Sequence, residues 1–222
     1  WCDKLGLMVW QDMPSANSYL DGKDREKPVA VDKPQYKAEL INMVRSNWNH
    51  PSIIMWVVFN EEQGQHDTDS LAAEVKGLDP TRLLNPASGT TVWGKVHDTK
   101  SGDVMDVHIY PGPLSPTPTA ERVAVLGEFG GLGFPVEGHK WSKNVWGYKN
   151  SADPKTWISE YEKLLAKTWE LKDKPGLSGA IYTQLTDVES EGNGLVTYDR
   201  EVIKLDLERA NAANTGKPPV QP

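Results

Sequence analysis

Ser-Ile-Ile-Met-Trp-Val-Val-Phe-Asn-Glu, residues 52–61, decides how the rest of the sequence is read. From Ser52 to Phe59 there is no charged residue and no alternation of polar with apolar side chains. An exposed strand alternates because one of its faces meets water; a run without alternation suits a parallel strand covered on both faces. Asn60 and Glu61 follow this run directly. Arg-Val-Ala-Val-Leu-Gly, residues 122–127, repeats the pattern and is followed at once by Glu128.

Leu5–Trp10, Arg82–Asn85, Val104–Ile109 and Leu177–Thr183 complete a set of six predicted buried strands. Helical signals lie between them. Pro34 suits a first helical turn, and Tyr36, Leu40, Met43, Val44 and Trp48 then recur at helical spacing until Asn49-His50-Pro51. Leu71, Ala72, Val75 and Leu78 share one face of a second helix before the Asp79-Pro80 turn. Asp153-Pro154 reads as an N-cap followed by proline at the first helical position. Trp157, Tyr161, Leu164, Leu165, Thr168 and Trp169 form the stripe that follows. Alternating strands and helices give an α/β fold, either a doubly wound sheet or a barrel. The strand ends choose between them: Gln11-Asp12-Met13-Pro14, Asn60-Glu61-Glu62, Tyr110-Pro111-Gly112-Pro113 and Glu128-Phe129-Gly130-Gly131 place polar and aromatic groups where a (β/α)8 TIM barrel carries its chemistry.

Composition narrows the function. The 222 residues fall short of the roughly 250 of a complete barrel. The net charge is −7, and the 24 basic residues are scattered, which disfavours nucleic acid as a partner. No apolar run approaches the roughly 20 residues of a membrane span. A single cysteine, Cys2, forms no internal disulfide. No compartment follows from these features. His50, His66, His97 and His139 lack zinc-site spacing and no glycine-rich loop suits phosphate, so neither metal nor cofactor is expected. No Gly-x-Ser-x-Gly turn is present. Nine Trp and seven Tyr offer flat faces that pack on sugars as readily as they fill a core.

Two strand-end carboxyls suggest glycoside hydrolysis. A partly dry strand end favours a protonated carboxyl, which a general acid needs, and Glu61 fits that place. Glu128, beside Gly127, Gly130 and Gly131, fits the ionised partner. Two carboxyls about 5 to 5.5 Å apart support double displacement at an anomeric carbon. A single strand-end glutamate is more often an ordinary solvated charge; two in this order are less readily explained so.

Asn-His-Pro-Ser-Ile-Ile-Met-Trp-Val-Val-Phe-Asn-Glu (49–61), Gly-Glu-Phe-Gly-Gly (127–131) and Thr-Asp-Val-Glu-Ser-Glu-Gly-Asn-Gly-Leu-Val-Thr-Tyr-Asp-Arg (186–200) resemble the family 2 glycoside hydrolases, which include β-galactosidases, β-glucuronidases and β-mannosidases. The resemblance runs to about Leu207. It implies a retaining exo-β-glycosidase with Glu61 as acid/base, Glu128 as nucleophile and Asn60 on the sugar 2-hydroxyl. Asp3 to Asp12 resembles the family's approach to strand three, so a partial barrel, strands 3 to 8 with their helices, is expected over residues 1–210. Strands one and two and the preceding jelly-roll and immunoglobulin-like domains would then lie outside this chain. Residues 211–222 are expected to be a disordered tail. The resemblance makes a periplasmic or secreted location plausible, and oligomeric state is not legible.

His108 and Tyr110 resemble family positions near the nucleophile, with buried packing an equal alternative. Tyr182 roughly matches a sugar-stacking tryptophan. Trp93, Trp141 and Trp146 lie in loops that can wall a subsite, Trp146 being preferred as a substrate contact. Trp10 and Trp56 read as core. Asp12, Gln184 and Asp187 are candidates for hydroxyl binding, and capping or loop hydrogen bonds explain them equally well. The rival from another class is a non-catalytic carbohydrate-binding or scaffold module.

Overall fold

The structure, a computed structural model, describes residues 1–14, 31–89 and 98–217. Trp93 and His97 lie outside the described residues. The chain divides into two compact units: Trp1–Asp106 with Thr119–Val123, and Val107–Pro118 with Ala124–Pro222.

The first unit opens with a helical turn, α1 (Cys2–Leu5), which Gly6 closes in the left-handed region at φ 71°. β1 therefore covers Val9–Asp12 and not the predicted Leu5–Trp10. Helix α2 (Lys33–Asn47) begins where Asp32 accepts the amide of Gln35 at 3.0 Å, and it buries Tyr36, Leu40 and Val44 at successive four-residue steps. β2 (Ile53–Val57), α3 (Thr68–Leu78) and β3 (Leu83–Asn85) follow in the expected order. The strands form a parallel sheet in the order β1-β2-β3, with Trp10 opposite Met55 and Val57 opposite Asn85. Tyr36 stacks on Phe59 at 5.1 Å between ring centroids, and Trp56, Leu71, Val75 and Leu84 pack in the same core.

Asp79 pins the helix-to-strand turn. It is buried and accepts hydrogen bonds from Trp56 Nε1 at 3.0 Å, Arg82 Nη1 at 2.6 Å and Thr81 Oγ1 at 2.6 Å. Burial alone would raise its pKa; the donors from Thr81, Arg82 and Trp56 outweigh burial and hold the carboxyl well below the usual range. Arg82 also donates to the carbonyls of Ile53, Trp48 and His50, tying the end of α2 to the start of β2.

β4 (Val104–Ile109) and β5 (Val123–Gly130) begin in the first unit and end in the second. There, β6 (Leu132–Gly133) pairs in parallel with β7 (Lys149–Asn150); α4 (Pro154–Asp173), β8 (Leu177–Thr183) and α5 (Leu207–Asn214) complete the chain. The larger sheet has the order β4-β5-β8, with β5 and β8 parallel. Asp153 caps α4 by accepting the amides of Lys155 and Thr156, both at 3.0 Å. The helix buries Trp157, Ile158, Tyr161 and Leu165, and Trp157 Nε1 donates to the Leu132 carbonyl at 2.9 Å.

The sequence reading begins a disordered tail at Asn211, whereas α5 continues to Asn214. Asp206 caps it, Ala210 and Ala212 are buried, Trp169 Nε1 donates to the Ala213 carbonyl at 3.0 Å, and Tyr161 Oη donates to Asn214 Oδ1 at 2.8 Å. Residues 218–222 of the expected tail lie outside the described residues. Among the described residues, no helix is long and apolar enough to cross a membrane.

Candidate active site

Glu128 occupies an irregular point of β5. Its pairing with β8 shifts register between Leu126 and Phe129, so Gly127 and Glu128 bulge from the ladder, a device that re-aims a side chain at a strand end. His108 and Tyr110 lie two residues apart at the end of β4 and both approach the carboxylate. Tyr110 Oη donates to Glu128 Oε2 and lies 3.2 Å from Thr183 Oγ1. Buried His108 places Nδ1 3.7 Å from Glu128 Oε1. Burial and the adjacent Glu128 carboxylate push the Tyr110 phenol far above its usual pKa, so it remains a proton donor. A phenol donating to a carboxylate favours the ionised form and fixes its plane.

The segment after β5 adds an aromatic layer. Tyr148 stacks on Tyr110 with centroids 3.6 Å apart and planes within 3°, and Trp146 meets Tyr148 edge-on at 5.2 Å. Trp146 is held by its main chain between Ser190 and Gly192 and is 41% exposed; Trp141 is 62% exposed and packs edge-on against Tyr198.

Tyr182 stands elsewhere. Side chains alternate along β8, so Thr183 faces Tyr110 while Tyr182 packs between Phe129 and Tyr161, its hydroxyl accepting the Leu132 amide at 3.2 Å. The expected sugar-stacking ring is thus turned toward α4. Asp187 is also structural: it pairs with buried Lys204 at 2.6 Å and accepts the Gly194 amide at 2.8 Å. Gln184 donates to Glu191 at 2.9 Å and to Asn193 at 2.8 Å, consistent with its loop-bonding alternative.

In the first unit, Asn60 and Glu61 extend β2 beyond its last paired residue. The Ser88 amide donates to the Phe59 carbonyl at 2.8 Å and the Glu61 amide to the Ser88 carbonyl at 3.1 Å. Ser88 Oγ donates to Asn60 Oδ1 at 2.8 Å. Glu61 adopts φ 48° and Glu62 φ 60°, left-handed conformations that cost non-glycine residues on the order of 1–3 kcal/mol and concentrate at functional sites. Trp56 is buried in the core, as its strand position suggests. Ser88, Thr183 and Tyr148 were not singled out in the sequence. Thr183 ends a predicted strand, and Tyr148 lies two residues beyond Trp146, but their partners are set by tertiary pairing.

Parallel strands alternating with helices, with polar groups at the strand C-termini, are the pattern of an α/β-barrel protein. The chain matches the glycosyl hydrolases family 2, TIM barrel domain, over residues 1–112 and belongs to that family. It is 34% identical over 93 residues to a β-glucuronidase of Bacteroides fragilis, covering 39% of this chain and 13% of that protein. It is 37% identical over 86 residues to a β-galactosidase of Thermoanaerobacterium thermosulfurigenes, covering 36% of this chain and 10% of that protein. The crystal structure of an FMN-binding β-glucuronidase from Faecalibacterium prausnitzii L2-6 shares the fold with a TM-score of 0.62 at 22% identity, over 96% of this chain and 36% of that one. The chain thus spans only a minor part of the relatives it matches. The family match contains Asn60, Glu61, His108 and Tyr110; Glu128 lies beyond it.

Proposed function

We propose that this chain carries the catalytic residues of a retaining exo-β-glycosidase. The hydrogen bond from Tyr110 to the bulged Glu128 carries the reading: a carboxylate held in one orientation by a phenol that stays protonated is suited to attack an anomeric carbon. Glu128 forms a bond to that carbon while the glycosidic C–O bond breaks, and Glu61 donates its proton to the departing oxygen. Glu61 then removes a proton from water, whose oxygen displaces Glu128 and releases the sugar.

Asn60, oriented by Ser88, is assigned to the sugar 2-hydroxyl, and His108 to a second hydroxyl. Trp146 is assigned to a subsite wall. Tyr182 has no sugar contact in this scheme, because its ring packs toward α4. Residues 1–210 are read as a portion of the catalytic barrel, and the substrate as a β-glycoside. Relatives named β-glucuronidase and β-galactosidase support that class and leave the sugar open.

Nitrophenyl β-glycosides assayed on the full-length protein test the scheme. Glu128→Gln should abolish turnover of whichever glycoside the parent cleaves; an unchanged rate would exclude Glu128 as nucleophile. Glu61→Ala should slow substrates with poor leaving groups far more than activated ones.

A further inference from the structure

We infer that Trp141 forms an outer subsite that stacks on a second sugar ring, one belonging to the leaving group; this rests on reading the site as that of an exo-β-glycosidase. An exo-acting enzyme cuts off a single terminal ring, so any second ring it holds is part of what departs.

Trp141 is carried by a flap. Residues 135–145 leave and return to one short segment: the Phe134 amide donates to the Gly192 carbonyl at 3.1 Å, the Trp146 amide to the Ser190 carbonyl at 2.9 Å, and the Gly192 amide to the Trp146 carbonyl at 2.7 Å. Gly192 permits the closure, since a Cβ there would stand 2.2 Å from Val145 Cγ1. The far end of the flap is tethered too. His139 Nδ1 lies 2.8 Å from Asp199 Oδ2, while Asp199 Oδ1 accepts the Thr197 hydroxyl at 2.6 Å. Beside this tether, Trp141 meets Tyr198 edge-on at 5.7 Å between ring centroids.

No residue from 135 to 145 is buried, so the flap stands on these tethers and not on a core of its own. A perpendicular contact uses at most one face of the indole, and Trp141 is 62% exposed; a flat apolar face is thus fixed and left open. Such a face suits the C–H side of a sugar ring, and fixing it beforehand lowers the ordering cost of binding. An aromatic path leads from the nucleophile to the flap. Tyr110 donates to Glu128, Tyr148 stacks on Tyr110, and Trp146 meets Tyr148 edge-on. Trp141 lies five residues before Trp146, a span of at most roughly 18 Å, which keeps the indole within a few sugar rings of the same site.

The test uses the full-length protein and two substrates of the sugar it cleaves. One is the β-glycosyl fluoride, whose leaving group has no ring; the other is the β-linked disaccharide it cleaves fastest from a panel of linkages. Trp141→Leu should raise KM for the disaccharide about three- to tenfold with kcat nearly unchanged, the loss of one ring stack. The fluoride should be hydrolysed as by the parent. Trp141→Phe, which keeps a ring, should recover most of the loss. Tyr198→Leu, which frees the indole, should raise the same KM about twofold and add almost nothing in the Trp141→Leu background. Neither side chain is buried, and thermal unfolding of each variant is the control.

An unchanged disaccharide KM in Trp141→Leu would overturn the inference, as would equal losses on the two substrates or a parent that hydrolyses the fluoride and none of the disaccharides. An inactive Glu128→Gln beside any of these would leave the proposed nucleophile standing. An active Glu128→Gln beside a rise in disaccharide KM alone would overturn that nucleophile and keep the subsite. A parent that hydrolyses neither substrate would overturn both.

Discussion

Tyr110 donates its hydroxyl proton to Oε2 of Glu128, joining the end of β4 to the bulge of β5. A hydrogen bond to a charged acceptor contributes about 1.5–3 kcal/mol. Tyr110→Phe should therefore lower kcat by roughly 10- to 150-fold if the bond persists in the transition state. Steady-state kinetics on a nitrophenyl glycoside check this, and a change confined to KM would place the phenol on the substrate instead.

Ser88 orients Asn60 across the ends of β2 and β3 through a 2.8 Å hydrogen bond. Ser88→Ala should reduce kcat/KM about tenfold on a glycoside bearing a 2-hydroxyl. The same substitution should leave the 2-deoxy glycoside nearly unaffected. Equal losses on both substrates would detach Asn60 from the 2-hydroxyl.

Asp79 governs an acid-sensitive part of the first unit. Its folded pKa is depressed below the unfolded value of about 3.9, so its contribution is fully present above that value. It is lost as pH falls through the lower folded value. Asp79→Ala should cost about 3–5 kcal/mol at neutral pH by leaving Arg82 without its buried partner. The variant's stability should also fall less steeply below about pH 4 than the parent's. Urea unfolding at several pH values reads both effects.

The buried Lys204–Asp187 pair holds the loop after β8. Lys204→Met would strand a carboxylate in the interior and should cost about 3–5 kcal/mol, with partial recovery in Lys204→Met/Asp187→Leu. Chemical denaturation of the three proteins separates the ion pair from packing. No recovery in the double variant would show that the polar bonds to Gly192 and Gly194 are what the loop requires.

Much of this architecture is legible in the sequence because its signals are local. Ser52–Phe59 reads as buried because both faces of β2 are covered, and Pro34 and Asp153-Pro154 mark helix starts that the structure places at the first turns of α2 and α4. The misreadings have tertiary causes. Leu5 looks like strand until Gly6 closes a helical turn. The helix α5 has small alanines that give almost no periodic signal, and Tyr161 and Trp169 of α4 dock it. Tyr182 and Thr183 differ by one position on β8, and that single step decides which side chain meets Tyr110. Tyr148 and Tyr110 lie far apart in the sequence, so spacing alone does not reveal that their rings stack.

Covalent trapping tests the central claim most directly. The full-length protein is incubated with a 2-deoxy-2-fluoro β-glycosyl fluoride of the sugar it cleaves, then digested, and the labelled peptide is mapped by mass spectrometry. The mechanism predicts one fluorosugar per chain, esterified to Glu128 and absent from Glu128→Gln. A label on any other residue, or turnover with inversion and no label at all, would contradict it.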